Sequence, residues 1–188
     1  EKSITNQIYK ININLLNKLP LKIEKLIKDF TPSAKIISKK LSQVNSCYFI
    51  GRNIVYPIAL EGSLKLKEIS YMHSEGFPGG EMKHGPIALI DKDSITVCLI
   101  PNNDLFEKSV SNAQEISARN GKIIILSSVK NMNKINGEIK VMNMPKENII
   151  DTPFIYTIPL QLISYYFALS EGTDIDQPRN LAKSVTVE

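Results

Sequence analysis

Residues 47–73, CYFIGRNIVYPIALEGSLKLKEISYMH, place a short apolar run directly before a long helical pattern. The apolar residues at 47–50 are continuous rather than alternating, and Gly51 ends the run. Such a run is typical of a parallel strand that is covered on both faces. Residues 57–73 then predict a helix, since Pro57 suits the first turn of one. The stretch therefore predicts a strand followed by a helix, which is the repeating unit of α/β folds.

The same unit recurs along the chain. Further apolar runs lie at 95–100, at 122–126 and, more weakly, at 138–142. Helical patterns occupy 104–119, with Asn120-Gly121 as a stop signal, and 152–170, with Gly172 as one. This alternation predicts a three-layer α/β domain with a parallel sheet at residues 46–173.

Ligands of open parallel sheets bind beyond the carboxyl ends of the strands. The segments that follow the predicted strands are Gly51-Arg52, Pro101-Asn102-Asn103 and Ser127-Ser128. We expect them to share one edge of the sheet.

Residues 1–45 predict a helical extension made of two helices. The apolar face of the first consists of Ile23, Leu26, Ile27 and Phe30, at helical spacing. We expect this helix to end at Thr31-Pro32-Ser33. Ser33 is a suitable N-cap for the second helix, and its apolar stripe is Ile37, Leu41 and Val44.

The composition limits the classes of function. The chain has 188 residues, of which 43% are hydrophobic and 22% charged, and its net charge is +4. This suits one domain with an extension, and no dense basic block favours a nucleic-acid partner. No run approaches the roughly 20 apolar residues that span a bilayer, so a cytoplasmic protein is expected. Cys47 and Cys98 lie within apolar runs and are expected to be buried free thiols. The first residue is Glu rather than Met, which indicates a piece of a longer protein.

Glu61, Lys65 and Glu68 have the spacing i, i+4, i+7, so they share one face of the helix at 57–73. One interpretation is a ladder of ion pairs on a solvated surface. The other is a carboxylate held beside an ammonium group in a cleft, ready for proton transfer. The spacing alone does not decide between them.

Residues 79–86, GGEMKHGP, bracket a glutamate, a lysine and a histidine with glycines, which predicts a loop. His84 could transfer a proton near neutral pH, or it could be an exposed turn residue. His73 is expected only to close the preceding helix. Two histidines in these settings make a poor metal site, so no metal and no cofactor are expected.

Residues 174–188 have the composition of a frayed terminus. Arg179 and Lys183 nevertheless have the spacing i, i+4, and a lysine in a cleft can form a Schiff base with a ketone. Both interpretations remain open on composition and spacing.

Three segments carry a resemblance to a known family. They are residues 56–90, YPIALEGSLKLKEISYMHSEGFPGGEMKHGPIALI, residues 151–169, DTPFIYTIPLQLISYYFAL, and residues 176–188, DQPRNLAKSVTVE. Together they resemble the second sugar isomerase domain and C-terminal tail of the glutamine–fructose-6-phosphate aminotransferases. The resemblance runs from about residue 10 to the end of the chain. It implies a sugar isomerase fold whose C-terminal tail is an ordered part of the active site.

The resemblance also implies roles for individual residues. Glu68 matches the base that moves a proton between C1 and C2 of the sugar. His84 matches the acid/base that opens the sugar ring and reaches the partner subunit's site. Lys183 matches the lysine that forms a Schiff base with the open-chain sugar. The implied substrate-binding residues are Glu61, Lys65, Arg179 and Ala182.

The implied reaction converts fructose 6-phosphate and glutamine-derived ammonia to glucosamine 6-phosphate. The family's glutaminase domain and first sugar isomerase domain, which holds the phosphate cradle, have no counterpart here, and Ser127-Ser128 is at most a relic of such a cradle. A homodimer is the expected assembly. Two alternatives are a stand-alone phosphosugar isomerase or deaminase and a non-catalytic sugar-phosphate sensor.

Overall fold

The core of the protein is a sheet of five parallel strands. The computed structural model describes residues 4–130, 132 and 135–181. The strands are β1 (Ser46–Gly51), β2 (His73–Pro78), β3 (Ser94–Leu99), β4 (Lys122–Ser127) and β5 (Ile139–Asn143). Their order is β2-β1-β3-β4-β5 and every pairing is parallel, which confirms the predicted fold class. The order reverses between β1 and β3, where doubly wound sheets open a crevice.

Helices cover both faces of the sheet. They are α1 (Asn6–Leu41), α2 (Tyr56–Ser70), α3 (Phe106–Ser117) and α4 (Thr152–Glu171). Short 3₁₀ turns occur at Asn53–Val55, Gly79–His84 and Pro86–Leu89. Successive strand residues point to opposite faces: Phe49 joins the core beneath α1, α2 and α4, whereas Tyr48 joins the core beneath α3 and the two later turns.

The predicted break in the N-terminal helix is wrong, because α1 continues through Thr31-Pro32-Ser33 as a single helix. Pro20 and Pro32 both lie on the exposed side, where water can reach the carbonyl groups that lose an amide partner. The Thr31 hydroxyl donates to the Ile27 carbonyl at 2.7 Å. Burial of Leu26, Phe30, Ala34, Ile37 and Leu41 in one continuous stripe outweighs the local cost of the proline.

The sequence prediction also missed β2. The helix predicted at 57–73 ends at Ser70, and His73 begins the strand instead of closing the helix. The strand has no apolar run because it is an edge strand with one paired neighbour, β1. Its side chains are mostly half-buried, and His73 itself is exposed, 3.8 Å from Glu75.

Other predicted features are confirmed. Asn120 adopts positive φ just after α3, and Gly172 caps α4 in the left-handed region. Cys47 and Cys98 are buried free thiols, and burial raises the pKa of each. Among the helices described, none has the length and apolar character needed to cross a membrane.

Candidate active site

The row of charged residues on α2 is held in place by the buried side of the same helix. A Cβ atom on Gly62 would lie 2.5 Å from Leu160 Cδ1 of α4 and 3.0 Å from Phe49 Cδ1 of β1. This close approach fixes how α2 is rotated on the sheet. The neighbouring residues Glu61, Lys65 and Glu68 are consequently only half-buried along the side of the helix.

Lys65 and Glu68 form a direct pair. Lys65 Nζ donates to Glu68 Oε2 at 2.8 Å, with the two side chains 35% and 27% exposed. The hydrogen bond to Glu68 is the main reason that the pKa of Lys65 is raised; partial burial opposes the rise, and the charges of Glu68 and Glu61 add to it. An ammonium group thus stays beside the Glu68 carboxylate across the physiological range.

The segment after α4 returns to the end of α2 that carries Glu68. Thr173 Oγ1 donates to the Ile69 carbonyl at 2.6 Å. The Arg179 amide donates to Tyr71 Oη at 2.8 Å, and the Arg179 guanidinium lies 4.1 Å from the centre of the Tyr71 ring. Thr173 and Arg179 therefore contact the C-terminal end of α2, against the frayed interpretation of this part. Ala182 and Lys183 fall outside the described residues.

His84 lies at the end of the turn after β2. Its Nδ1 is 2.7 Å from Glu81 Oε2, and its side chain is 71% exposed. The turn is anchored by Met82, which is 1% exposed in the core beneath α3, and by an ion pair of 2.9 Å between Lys83 and Glu115 of α3. His84 is thus an accessible group on a fixed turn.

Arg52 and Asn112 support the same turn, and the sequence reasoning assigned them no role. Arg52 Nε donates to Asn112 Oδ1 at 2.8 Å. A Cβ on Gly79 would lie 2.9 Å from Asn112 Oδ1, and one on Gly80 would lie 3.2 Å from Arg52 Nη1. The glycines therefore let the backbone pass close to these side chains. The available signal was the position of Arg52, directly after β1.

The structure does not bring Glu68 and His84 together within one chain. α2 runs back from the carboxyl edge of the sheet, so Glu68 lies near the amino edge, whereas His84 follows the carboxyl end of β2. The six residues of β2 separate these edges by roughly 17 Å. The two residues also belong to opposite layers, because α2 packs with α1 and α4, and the turn packs with α3.

The expected ligand crevice at the carboxyl edge is a separate cavity of about 430 Å³. It is lined by residues that follow β1, β3 and β5, among them Asn53, Asn102, Asp104 and Glu147. Amides and carboxylates dominate this lining, which suits a phosphate poorly.

Glu147 joins the loops around this cavity. Its Oε1 accepts from the backbone N–H of Asn102 at 2.8 Å, from Ser128 Oγ at 3.0 Å and from Tyr156 Oη at 3.3 Å. The pKa of Tyr156 is raised, first by burial and then by the Glu147 charge. Ser127 Oγ accepts from the Val129 amide. The serines at 127–128 thus hold the loops, and a phosphate-cradle role for them has no support. Within the described residues, no group of three or more His, Cys, Asp or Glu side chains could bind a metal ion.

Residues 40–171 match the SIS domain family. The open sheet with order β2-β1-β3-β4-β5, covered on both faces, makes this a SIS-type α/β domain.

The chain is 47% identical over 176 residues to the glutamine–fructose-6-phosphate aminotransferase (isomerizing) of Haemophilus influenzae. This match covers 94% of the chain and 29% of that protein. It is 52% identical over 141 residues to the Sphingobium yanoikuyae protein of the same name, covering 74% of the chain and 90% of that protein.

A solved structure gives the same result. The C-terminal domain of glucosamine-fructose-6-phosphate aminotransferase from Francisella tularensis superposes with a TM-score of 0.87 at 40% identity, over 93% of this chain and 49% of that one. The chain therefore belongs to the SIS domain family, within the group of glutamine–fructose-6-phosphate aminotransferases. It spans less than a third of the length of the Haemophilus relative.

Proposed function

We propose that this chain is the C-terminal isomerase part of a longer aminotransferase. The whole enzyme converts fructose 6-phosphate and ammonia, released from glutamine, to glucosamine 6-phosphate. The observation that carries the proposal is the return of residues 173–179 to the end of α2 that bears Glu68. This contact leads the tail that contains Lys183 toward a carboxylate that is paired with an ammonium group.

The proposed roles follow the order of the reaction. His84 assists opening of the sugar ring, after which the Lys183 amine condenses with the C2 ketone and releases water. Ammonia then displaces the lysine amine from C2, which leaves the new nitrogen on the sugar and frees Lys183. Glu68 then transfers a proton between C1 and C2, and Lys65 stabilises its carboxylate. The accessible position of His84 and the direct Lys65–Glu68 pair at 2.8 Å support these assignments. Glu61, Arg179 and Ala182 are proposed to line the sugar site.

The separation of Glu68 from His84 supports a homodimer. Two groups on opposite layers and opposite edges of one sheet can serve one sugar only if a second chain supplies one of them. Exposed apolar side chains along the first half of α1 offer surface for other parts of the assembly, and they include Ile8, Tyr9, Ile11, Leu16 and Leu21. We place the working enzyme in the cytoplasm, without a nucleic-acid partner.

The phosphate cradle belongs, in this proposal, to the first sugar isomerase domain of the longer protein. The amide- and carboxylate-lined cavity at the carboxyl edge here supports that division, because it offers little to a phosphate. The partner domains of this chain are therefore the glutaminase domain and the first sugar isomerase domain.

A single assay separates the alternatives. The full-length gene product is supplied with fructose 6-phosphate and either glutamine or free ammonia, and glucosamine 6-phosphate is measured. We expect product from both nitrogen donors. An aldose phosphate formed without any donor would identify a stand-alone isomerase. Sugar-phosphate binding without turnover would identify a sensor.

A further inference from the structure

Tyr71 occupies a backbone conformation that its residue type rarely adopts. It caps the C-terminus of α2 with φ 63° and ψ 9° in the left-handed region. The other described non-glycine residues with positive φ are all asparagines, which tolerate this region well. A tyrosine is strained there, so its side chain needs a purpose beyond ending the helix.

The ring of Tyr71 is half-buried and belongs to neither core cluster, so filling the interior does not explain it. It makes two specific contacts with Arg179, as the hydroxyl accepts the Arg179 amide at 2.8 Å and the guanidinium lies 4.1 Å from the ring centre. One side chain thus holds both the backbone and the side chain of a tail residue.

We propose that Tyr71 is a positioning residue that clamps Arg179 and thereby holds the C-terminal tail beside Glu68. The inference rests on the proposed role of Lys183 in the same reaction. Tyr71 then acts through Arg179, and by holding that residue it also fixes the place of Arg179 in the proposed lining of the sugar site. Tyr71 follows Glu68 by three residues, and Lys183 follows Arg179 by four, so the clamp links the two reactive positions.

The expected loss of Schiff-base formation can be estimated from the number of residues that tether Lys183 to a fixed point. With the clamp, four residues separate Lys183 from a fixed point, a span of at most about 14 Å. Without it, the nearest hydrogen bond from the described part of the tail to α2 is that of Thr173, ten residues before Lys183. The local concentration of the Lys183 amine at the site then falls roughly fourfold, since for a flexible tether it scales as the −3/2 power of the tether length.

The test uses the full-length protein and two readouts. Trypsin cleaves after arginine, so its rate at the bond between Arg179 and Asn180 reports whether the clamp is closed. Borohydride with fructose 6-phosphate reduces the Schiff base, adding hydride across the C=N bond, and mass spectrometry measures the sugar adduct on Lys183. Tyr71→Phe removes only the hydrogen bond, whereas Tyr71→Gly removes the ring and relieves the backbone strain.

We expect Tyr71→Gly to raise the cleavage rate and to lower the trapping rate roughly fourfold, with an unchanged or higher Tm and with Tyr71→Phe in between. Asn120→Gly is the matched control, since it places a glycine at a left-handed backbone position just after α3 and far from the tail contact, and it should change neither rate. Wild-type rates of cleavage and trapping in Tyr71→Gly would overturn the clamp. If no adduct forms on Lys183 in the wild-type protein, the proposed function has failed, and the cleavage rates still test the clamp.

Discussion

Replacing Glu68 by glutamine separates catalysis from stability. The glutamine side chain retains the size of the original and an oxygen that can accept from Lys65, but it loses the charge and the basicity. The Lys65–Glu68 pair is i, i+3 on a helix with both side chains about a third exposed, so its loss costs only about 0.3–0.5 kcal/mol. That corresponds to a Tm change of roughly 1–2 °C for a domain of this size. Loss of a general base costs about 100- to 10,000-fold in rate, or roughly 3–5 kcal/mol of barrier.

The assay follows glucosamine 6-phosphate formation by the full-length enzyme with saturating ammonia, together with deuterium uptake from D₂O at C1 and C2 of the sugar. We expect both rates to fall at least about 100-fold, while borohydride still traps the sugar on Lys183, because the Schiff base forms before the proton moves. Glu171→Gln at the exposed end of α4 is the matched control and should behave as wild type. Activity of the Glu68→Gln variant within a few-fold of wild type would refute the role of Glu68 as base.

Three further predictions concern other parts of the chain. A heterodimer of one His84→Ala subunit and one Glu68→Gln subunit should regain about one working site out of two, and no recovery after confirmed subunit exchange would contradict a shared site. Asp151→Asn should lower the Tm by roughly 4–8 °C, because the buried Asp151 carboxylate accepts from Lys22 Nζ at 2.6 Å, and an unchanged melting curve would contradict this. Lys40, in the last turn of α1, donates a hydrogen bond to Glu138, and this bond lowers the pKa of Glu138 below its ordinary 4.5. The Lys40–Glu138 pair therefore stabilises the fold above pH 4.5, and this contribution is lost as the pH falls through the lowered pKa. Glu138→Gln should therefore lower the Tm by about 1 °C at about pH 7 and by nothing at about pH 2; equal losses at both would be the contrary result.

The parts of the fold that could be predicted are those where burial leaves a pattern. β1, β3 and β4 are buried almost throughout and were visible as continuous apolar runs. The edge strand β2 has one paired neighbour, so its sequence HSEGFP carries no such run and was missed. The break expected in α1 was a local inference from Pro32, and it failed because long-range packing of the stripe from Leu26 to Leu41 decides whether that helix continues.

The site was predictable only in part, for a related reason. Helical spacing identified the row of Glu61, Lys65 and Glu68 but could not decide whether it was a solvated ladder. The contact that bears on this choice joins Arg179 to Tyr71, residues 108 positions apart, and no local pattern reveals it. Arg52 was likewise visible at a strand end, yet its hydrogen bond to Asn112 depends on how α3 packs.

The position of Glu68 bears directly on the proposal that other domains complete the site. A sugar-phosphate site usually buries most of its ligand, and open parallel sheets provide that enclosure at the carboxyl ends of their strands. Glu68 lies at the other edge, on the side of a helix whose end the returning tail contacts, and more than a quarter of its side chain is exposed. In the proposed function, the domain therefore presents the base and the approach of the tail on an open surface, and other domains supply enclosure and phosphate binding. The chain spans 29% of its Haemophilus relative, and the proposal assigns these two tasks to counterparts of the part that it does not span.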